Sequence, residues 1–235
     1  MASATSPMGD LRTMGLSIYY AVRDALHVDI VGGPLTTPDG GTTFQGIAPD
    51  WLSSFPVTVY INGIPTPSGT VYYPSGTVVF ATPVSGTVTA DYSYCYARVY
   101  DDYPDNELQK PNFFFPSVSV QYGPVVDEPL QLGPQPWYYD FLAFIDVWAR
   151  DSAQRNDIAN IIRHRFNGGV RWVDYNAGFP LTYSGTLNPQ FDPQAHTVGW
   201  IDKLNWQMLP VRQETLGEVG RHHMEMHAEL IASPY

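Results

Sequence analysis

Three residues near the end of the chain, His223, Glu225 and His227, have types and a spacing that could bind a metal. Residues 218 to 232 alternate in a way that predicts a β-strand, on which every second side chain lies on the same face. Two imidazoles and a carboxylate on one face suit a divalent metal, but a complete site needs further ligands and supporting hydrogen bonds from elsewhere. A solvated polar face is the favoured interpretation, and no metal-binding residue is assigned.

Two other acidic features could carry chemistry. Asp146 lies within an apolar strand, where a carboxyl group can serve as a general acid or base. The favoured interpretation is a hydrogen-bonded structural carboxylate, or one that faces a subunit partner. An acidic group earlier in the chain suggests calcium, but it lacks the spacing and the central glycine of an EF-hand loop, which favours a solvated turn. Its members are Asp101, Asp102, Asp105 and Glu107.

No nucleophile or cofactor motif stands out in the sequence. Cys95 is the only cysteine, so an intramolecular disulfide is excluded, and its tyrosine-rich strand predicts a structural thiol. The chain contains no Gly-x-Ser-x-Gly elbow, no phosphate-binding GxxxxGK[ST] loop and no GxGxxG. Gly168 and Gly169 fit a helix stop. We therefore assign no catalytic or cofactor-binding residue and predict that the protein is not an enzyme; a metal hydrolase around His223 is the remaining enzymatic alternative.

The composition predicts a folded, strand-rich protein without tight affinity for nucleic acid. Of its 235 residues, 44% are hydrophobic and 15% are charged, which excludes a disordered chain. With 14% aromatic residues, 21 prolines and 20 glycines, short strands joined by tight turns are favoured. The net charge of −11, with Lys110 and Lys203 as the only lysines, repels a polyanion. We expect synthesis in a reducing compartment, no signal peptide and no membrane helix.

Periodicity indicates the elements that would position these residues. A helix is predicted over residues 9 to 28, followed by a polar loop from 32 to 50. A β-rich block then contains Asn62-Gly63, a dipeptide typical of hairpin turns. A long strand is predicted from 86 to 100, with a polar face and the ability to extend the sheet of a neighbouring subunit. Three copies of SGTV mark turns, at Ser68, Ser75 and Ser85.

The clearest pattern runs from residue 141 to residue 166, where a strand leads into a helix. The strand is apolar on both faces, which predicts a central position in a sheet. Asp151 and Gln154 form a capping-box pattern at the start of the helix, and prolines between 125 and 140 predict a loop before the strand. The helix carries a predicted apolar stripe of Ile158, Ile161, Ile162 and Phe166. Nearby arginines either contact partners or are solvated, and these are Arg155, Arg163, Arg165 and Arg171.

Together these elements predict an α+β fold, a largely antiparallel β-sheet with two packed helices and an inserted β-rich module. The expected core domain comprises residues 1 to 50 and 91 to 235, and the inserted β-hairpin module comprises residues 51 to 90. No reactive motif accompanies the segment from 141 to 166, and its pattern alone leaves open whether it presents a reactive group or a contact surface; the resemblance described next implies that sister copies contact it.

Part of this pattern resembles the tail-terminator and neck proteins of tailed bacteriophages. The segments that carry the resemblance are RVYDDYPDNELQKPNFFFPSVSVQYG, QLG and FLAFIDVWARDSAQRNDIANIIRHRF. In that family an N-terminal helix precedes a strand near a proline-containing connector, and a strand ending near VWA leads into a second helix. The corresponding residues here are 11 to 26, 113 to 122, and 145 to 149. The block VYINGIPTPSGTVYYPSGTVVFATPVSGTVTADYSY is similar to β modules of phage virion proteins, and it is an insertion relative to the smallest terminators.

The resemblance implies a structural virion protein that is made in the host cytoplasm and forms a ring, typically a hexamer, at the head–tail junction. Such a ring stops tail-tube polymerisation and docks the capsid connector. The implied partners are further copies of the chain, the tail-tube protein and the connector or head-completion protein, with genomic DNA as passing cargo only and no membrane. The alternatives are another neck, connector or baseplate protein, and a carbohydrate- or partner-binding β module.

Overall fold

The computed structural model describes residues 7–67, 69–108, 113–129, 137–211 and 222–235. The first part of the chain forms α1 (Pro7–Ala25), β1 (His27–Pro34), β2 (Thr43–Gln45), β3 (Thr58–Ile61), β4 (Ile64–Pro65), β5 (Thr70–Tyr72), β6 (Thr77–Val79), β7 (Val88–Cys95) and β8 (Arg98–Tyr100). The second part forms α2 (Asp105–Leu108), β9 (Ser117–Pro129), β10 (Trp137–Ala149), α3 (Ser152–Arg165), the 3-10 turn η1 (Phe166–Gly168), β11 (Val170–Val173), β12 (Thr197–Val211) and β13 (His222–Pro234). The predicted α+β class is confirmed, because sheets dominate and most strand pairs are antiparallel.

The chain divides into two units. Unit 1 comprises Met1–Leu26, Ala97–Ala177 and Pro193–Tyr235, and unit 2 comprises His27–Tyr96 and Gly178–Asp192. The expected module, residues 51 to 90, lies wholly within unit 2, but unit 2 is wider than that range. The reason is that β1 and the second half of β7 belong to the same sheet as β3, so the boundary follows the sheet.

Unit 1 is built on a six-stranded sheet with the order β11-β12-β13-β10-β9-β8. β10 is central, as its apolar pattern predicted, and it pairs along its length with β13 and β9. Only the short β8 runs parallel to its neighbour, and the other pairs are antiparallel. The longest strands therefore lie side by side and bury a continuous row of apolar side chains, which includes Ile145, Val147, Met226 and Leu230.

Both long helices of unit 1 pack on one face of this sheet. Tyr122 of β9 lies against Gly15 of α1, where an added Cβ would collide with the tyrosine ring. Trp172 of β11 donates a hydrogen bond to Thr13 of α1 over 2.8 Å. Ile158 and its neighbours Ala159 and Ile162 bury the inner face of α3, whereas Ile161 is 45% exposed, so the predicted apolar stripe of α3 is narrower than expected.

Unit 2 contains a four-stranded sheet, β1-β7-β3-β4, and a three-stranded sheet, β2-β6-β5. One hydrophobic cluster joins the two sheets, and its members are Leu35, Phe44, Trp51, Val59, Tyr73, Val78, Phe80, Val88, Ala90 and Tyr92. At its centre Trp51 stacks on Tyr92 with ring centroids 4.1 Å apart, a geometry worth about 0.5–1.5 kcal/mol beyond burial. The predicted turn at Asn62-Gly63 is confirmed, because both residues have positive φ and join β3 to β4.

Two expectations about loops are wrong. The proline-rich range 125 to 140 was expected to be irregular, yet β9 continues to Pro129 and β10 begins at Trp137; residues 130–136 lie outside the described residues. The described proline of this range, Pro129, is the last residue of β9, and the preceding Pro124 lies at a bulge, where the register shifts between Phe141 and Ala143. Similarly, the predicted loop from 32 to 50 is partly regular, because Gly32 and Gly33 lie in β1, whose register shifts at that point, and Thr43–Gln45 forms β2.

The predicted long strand from 86 to 100 is also divided, into β7 and β8. β7 cannot extend a neighbour's sheet, because β1 pairs with one edge and β3 with the other. The last residues of β7 are covered too, since Leu52 N donates to Ser93 O and Cys95 N donates to Asp50 O. Only part of the predicted polar face is exposed: Ser93 and Cys95 are buried, and Tyr96 from the expected apolar face is 41% exposed.

Candidate functional site

One face of the unit 1 sheet is covered by α1 and α3, and the opposite face, which we call the polar face, carries the titratable side chains. Strand alternation sends Ile145 and Met226 toward the helices and their neighbours Asp146 and Glu225 the other way. The polar face is made of alternate residues of β9, β10 and β13, namely Ser117, Ser119, Gln121, Phe144, Asp146, Trp148, His223, Glu225 and His227.

The centre of the polar face is a buried pair of Asp146 and His223. Nε2 of His223 lies 2.7 Å from Oδ1 of Asp146. His223 is 2% exposed and Asp146 is 6% exposed. The hydroxyl of Ser119 donates to the other carboxylate oxygen, Oδ2, over 3.3 Å. The ring of Trp148 stacks on the imidazole, with centroids 5.0 Å apart and an interplanar angle of 8°. Hydrogen bonds and an aromatic ring therefore position the pair.

A second acid–imidazole pair lies beside the first but is open to solvent. Glu225 is directly opposite Asp146 in the strand register. Its Oε2 lies 3.9 Å from Nε2 of His227, and the two side chains are 44% and 37% exposed, respectively. The polar face thus presents one buried and one solvent-accessible pair next to each other.

The structure regroups the residues that the sequence singled out. Ligand atoms of Asp146, His223 and Glu225 lie within 4.8 Å of one another, and the group excludes His227. An extended strand rises about 3.3 Å per residue, so His223 and His227 are separated by roughly 13 Å along β13. The predicted same-face arrangement of His223, Glu225 and His227 is confirmed, but Asp146 of the neighbouring strand takes the third place in the group.

A cavity of about 210 Å³ borders this group. It is lined by Tyr103, Gln121, Phe144, Ile145, Asp146, Glu225, Met226 and His227. Burial raises the pKa of Tyr103, and the carboxylates of Asp146, Asp105 and Glu225 raise it further, so its hydroxyl stays protonated at neutral pH. Gln121 donates to Asp102 over 3.1 Å, and this hydrogen bond, with that from the Tyr103 backbone N–H, lowers the pKa of Asp102.

The arrangement does not form a nucleophile triad. In such a triad the imidazole accepts the proton of the nucleophile and the carboxylate orients the imidazole. Here the hydroxyl of Ser119 contacts the carboxylate of Asp146 instead of His223, so the imidazole cannot remove its proton. Ser119 is also fully buried, which leaves no room for a substrate at its oxygen. The donor atoms of this group can bind a cation or form structural hydrogen bonds.

The remaining sequence candidates lie apart from this group. Cys95 is buried in β7 of unit 2. Asp105 and Glu107 lie in α2, and no metal-binding group of the described residues includes them. Among the arginines, Arg165 donates to the carbonyl of Gly169, and Arg163 is exposed.

A different feature of unit 1 concerns its sheet edge rather than its polar face. β11 pairs with β12 only from Thr197 to Ile201, so no described residue pairs with the outer edge of β12 over residues 203–211. We call this stretch the open edge. Its side chains Leu204 and Leu209 are 58% and 45% exposed. Trp206 packs on Phe166 at 5.3 Å, and its buried Nε1 has no hydrogen-bond partner among the described residues.

Comparison with known proteins adds no assignment. No protein-family model and no curated protein matches the chain. No helix in the described part of the chain is long and apolar enough to cross a membrane.

Proposed function

We propose that this protein is a structural virion subunit that forms a ring at the head–tail junction of a tailed bacteriophage, where it terminates the tail tube and docks it to the connector. The proposal rests on the resemblance described above and on one observation, the open edge of β12. A strand edge with unpaired backbone groups is a template for pairing with another chain.

The open edge has the chemistry of a subunit contact. Leu204 and Leu209 add exposed apolar area to a strand that is otherwise well ordered by β13. Trp206 holds this stretch of β12 against η1, because its ring packs on Phe166 with centroids 5.3 Å apart. Natural proteins protect long strand edges with charges, prolines or covering elements, and among the described residues of the open edge Lys203 and Pro210 are of these kinds. A ring covers such edges, because each subunit offers its edge to the next one.

The first test is the oligomeric state of the purified chain. We expect mass photometry to find a closed ring at micromolar concentration. The double substitution Leu204→Lys with Leu209→Lys should shift the distribution to monomers, because two charges would be buried at each contact. Ile64→Lys, which places a lysine at an equally exposed strand residue of unit 2, is the matched control and should leave the ring intact.

The second test addresses the location of the ring. In phage particles that carry the chain with a small epitope tag, immunogold labelling is expected at the junction between head and tail. Labelling at the distal end of the tail would instead support the baseplate alternative. A wild-type chain that is monomeric at every concentration would contradict the proposal.

One observation favours a binding module as the second candidate. Unit 2 contains a groove of about 520 Å³ lined by residues that include Phe55, Tyr73 and Leu187. Aromatic walls with backbone and hydroxyl groups nearby are typical of carbohydrate or peptide binding. A glycan and peptide array would distinguish the two functions, because a module would bind one ligand class and lose it in Phe55→Ala.

A further inference from the structure

We propose that the polar face of unit 1 contains a binding site for one divalent transition-metal ion, formed by Asp146, His223 and Glu225. The sequence alone favoured a solvated face, because it showed no ligand beyond those on β13. The pairing of β10 with β13 supplies that ligand, since Asp146 lies opposite Glu225 and next to His223. The inference does not depend on ring formation.

The donor atoms are close enough for one ion. With ligand atoms within 4.8 Å of one another, an ion at their centre lies about 3 Å from each, and small side-chain rotations reach the bond lengths of about 2.0–2.2 Å that zinc requires. Two carboxylates also offset the charge of a dication. The imidazole selects a transition metal such as zinc over magnesium or calcium, which prefer oxygen ligands only.

The differences in burial among the three ligands indicate that a metal ion enters from the side of the cavity. Asp146 and His223 are almost completely buried and held by Ser119 and Trp148, so two ligands are already oriented. Glu225 is half exposed and closes the site from the cavity. The cavity of about 210 Å³ has room for several water molecules at roughly 30 Å³ each, and these can complete the coordination sphere.

His223 also carries an unexplained polar atom. Its Nδ1 is buried and has no hydrogen-bond partner among the described residues, while Nε2 faces Asp146. In the absence of metal, Nε2–H donates to the carboxylate. Coordination uses the tautomer with the proton on Nδ1, which leaves the lone pair of Nε2 for the ion and makes Nδ1–H a buried donor that requires a water molecule or a carbonyl as acceptor. The same side chain can therefore close the site without metal and ligate when an ion enters.

Isothermal titration of the full chain with zinc chloride, after dialysis against chelator, tests the proposal. We expect one zinc per chain. Glu225→Gln, which changes a half-exposed side chain and should preserve the fold, is expected to weaken binding at least tenfold. His223→Gln and Asp146→Asn should abolish it. The controls Glu229→Gln, on the same strand and face, and His164→Gln, on α3, should bind as the wild type does.

X-ray absorption at the zinc edge provides the second readout. We expect nitrogen and oxygen ligands without sulfur, which excludes capture by Cys95, and fewer imidazole contributions in His223→Gln. Circular dichroism identifies any variant that fails to fold. If His223→Gln or Asp146→Asn fails to fold, the zinc affinity of Glu225→Gln is the measurement that tests the site. Absence of zinc binding by the wild type, or equal affinity in Glu225→Gln and Glu229→Gln, would overturn the proposal.

Discussion

At the scale of single residues, unit 1 depends on a few buried polar contacts between α1 and the sheet. Thr13 and Ser17 are buried on α1, where a helix would ordinarily place apolar residues. Thr13 accepts a hydrogen bond from the indole of Trp172, and Ser17 accepts one from the backbone of Val173. These bonds fix the position of α1 along β11, because a shift of the helix would leave both donors unsatisfied.

The hydrogen bond between Thr13 and Trp172 is expected to contribute more to the free energy of unfolding than the packing of the Thr13 side chain does. Thr13→Val keeps the shape of the side chain but leaves the buried indole N–H without its acceptor, so the free energy of unfolding should fall by about 1–3 kcal/mol. Thr13→Ser keeps the hydroxyl and should cost less. Urea unfolding followed by tryptophan fluorescence measures both, and an equal loss in the two variants would show that packing alone matters.

Asp39 gives unit 2 a pH-dependent stability. Its carboxylate accepts hydrogen bonds from the Thr42 hydroxyl and from the backbone N–H groups of Thr43 and Gly41. Hydrogen bonds from Thr42 and Thr43 lower the pKa of Asp39 below its ordinary value of 3.8. A group with a lowered folded-state pKa stabilises the fold above the unfolded value, and this stabilisation disappears as the pH falls through the folded value.

Wild type and Asp39→Asn should therefore differ in stability at pH 6 and converge as the pH is lowered from about 4 toward the folded-state pKa. Urea unfolding at a series of pH values measures the difference. A constant difference between wild type and Asp39→Asn at all pH values would exclude this role for the carboxylate.

At the scale of elements, α3 shows how a local signal specifies a boundary. Asp151 adopts extended backbone angles and accepts from the N–H of Gln154 over 2.8 Å, as the capping-box pattern predicted. The side chain of Gln154 accepts in return from the N–H of Arg150, one residue before the cap. One unpaired N–H of the first helical turn, that of Gln154, and the N–H that precedes the cap, that of Arg150, are thus satisfied.

Removing this cap should destabilise unit 1 measurably. Asp151→Ala is expected to lower the free energy of unfolding by about 1 kcal/mol. Asp151→Ser keeps a hydrogen-bond acceptor and should retain most of the stability that the cap contributes. Ser152→Ala, at the next position, is the matched control. Thermal unfolding followed by circular dichroism gives the comparison. Equal stability of Asp151→Ala and wild type would contradict the assigned cap.

The elements also show which parts of the fold a sequence can predict. Asn62-Gly63, the cap at Asp151 and the central strand β10 depend on neighbouring residues, so their patterns are visible locally. The grouping of Asp146 with His223 cannot be predicted from local patterns, because 77 residues separate the two and only the register of β10 with β13 brings them together. Whether the edges of β7 are paired could not be predicted from its own residues either, because β1 and β3, which pair with them, lie far away in the sequence.

At the scale of the whole molecule, residues 141 to 166 were expected to form the contact with sister copies, but another part of unit 1 is better suited to that contact. β10 is paired on both edges, so its backbone is not accessible for strand addition. The exposed surface of this segment is mainly the outer side of α3, where Ile161 and Arg163 lie, together with Leu142 of β10. The open edge of β12 is the better candidate for a subunit contact, since it combines exposed leucines with a backbone that no described residue pairs with.

We propose that the chain is a ring subunit whose contacts use the open edge. Cryo-electron microscopy of the purified chain at high concentration tests this proposal directly. We expect a closed ring in which residues 203–211 of each subunit lie buried against the next subunit. A population of single chains at every concentration, or a ring in which this edge of β12 remains in solvent, would contradict it.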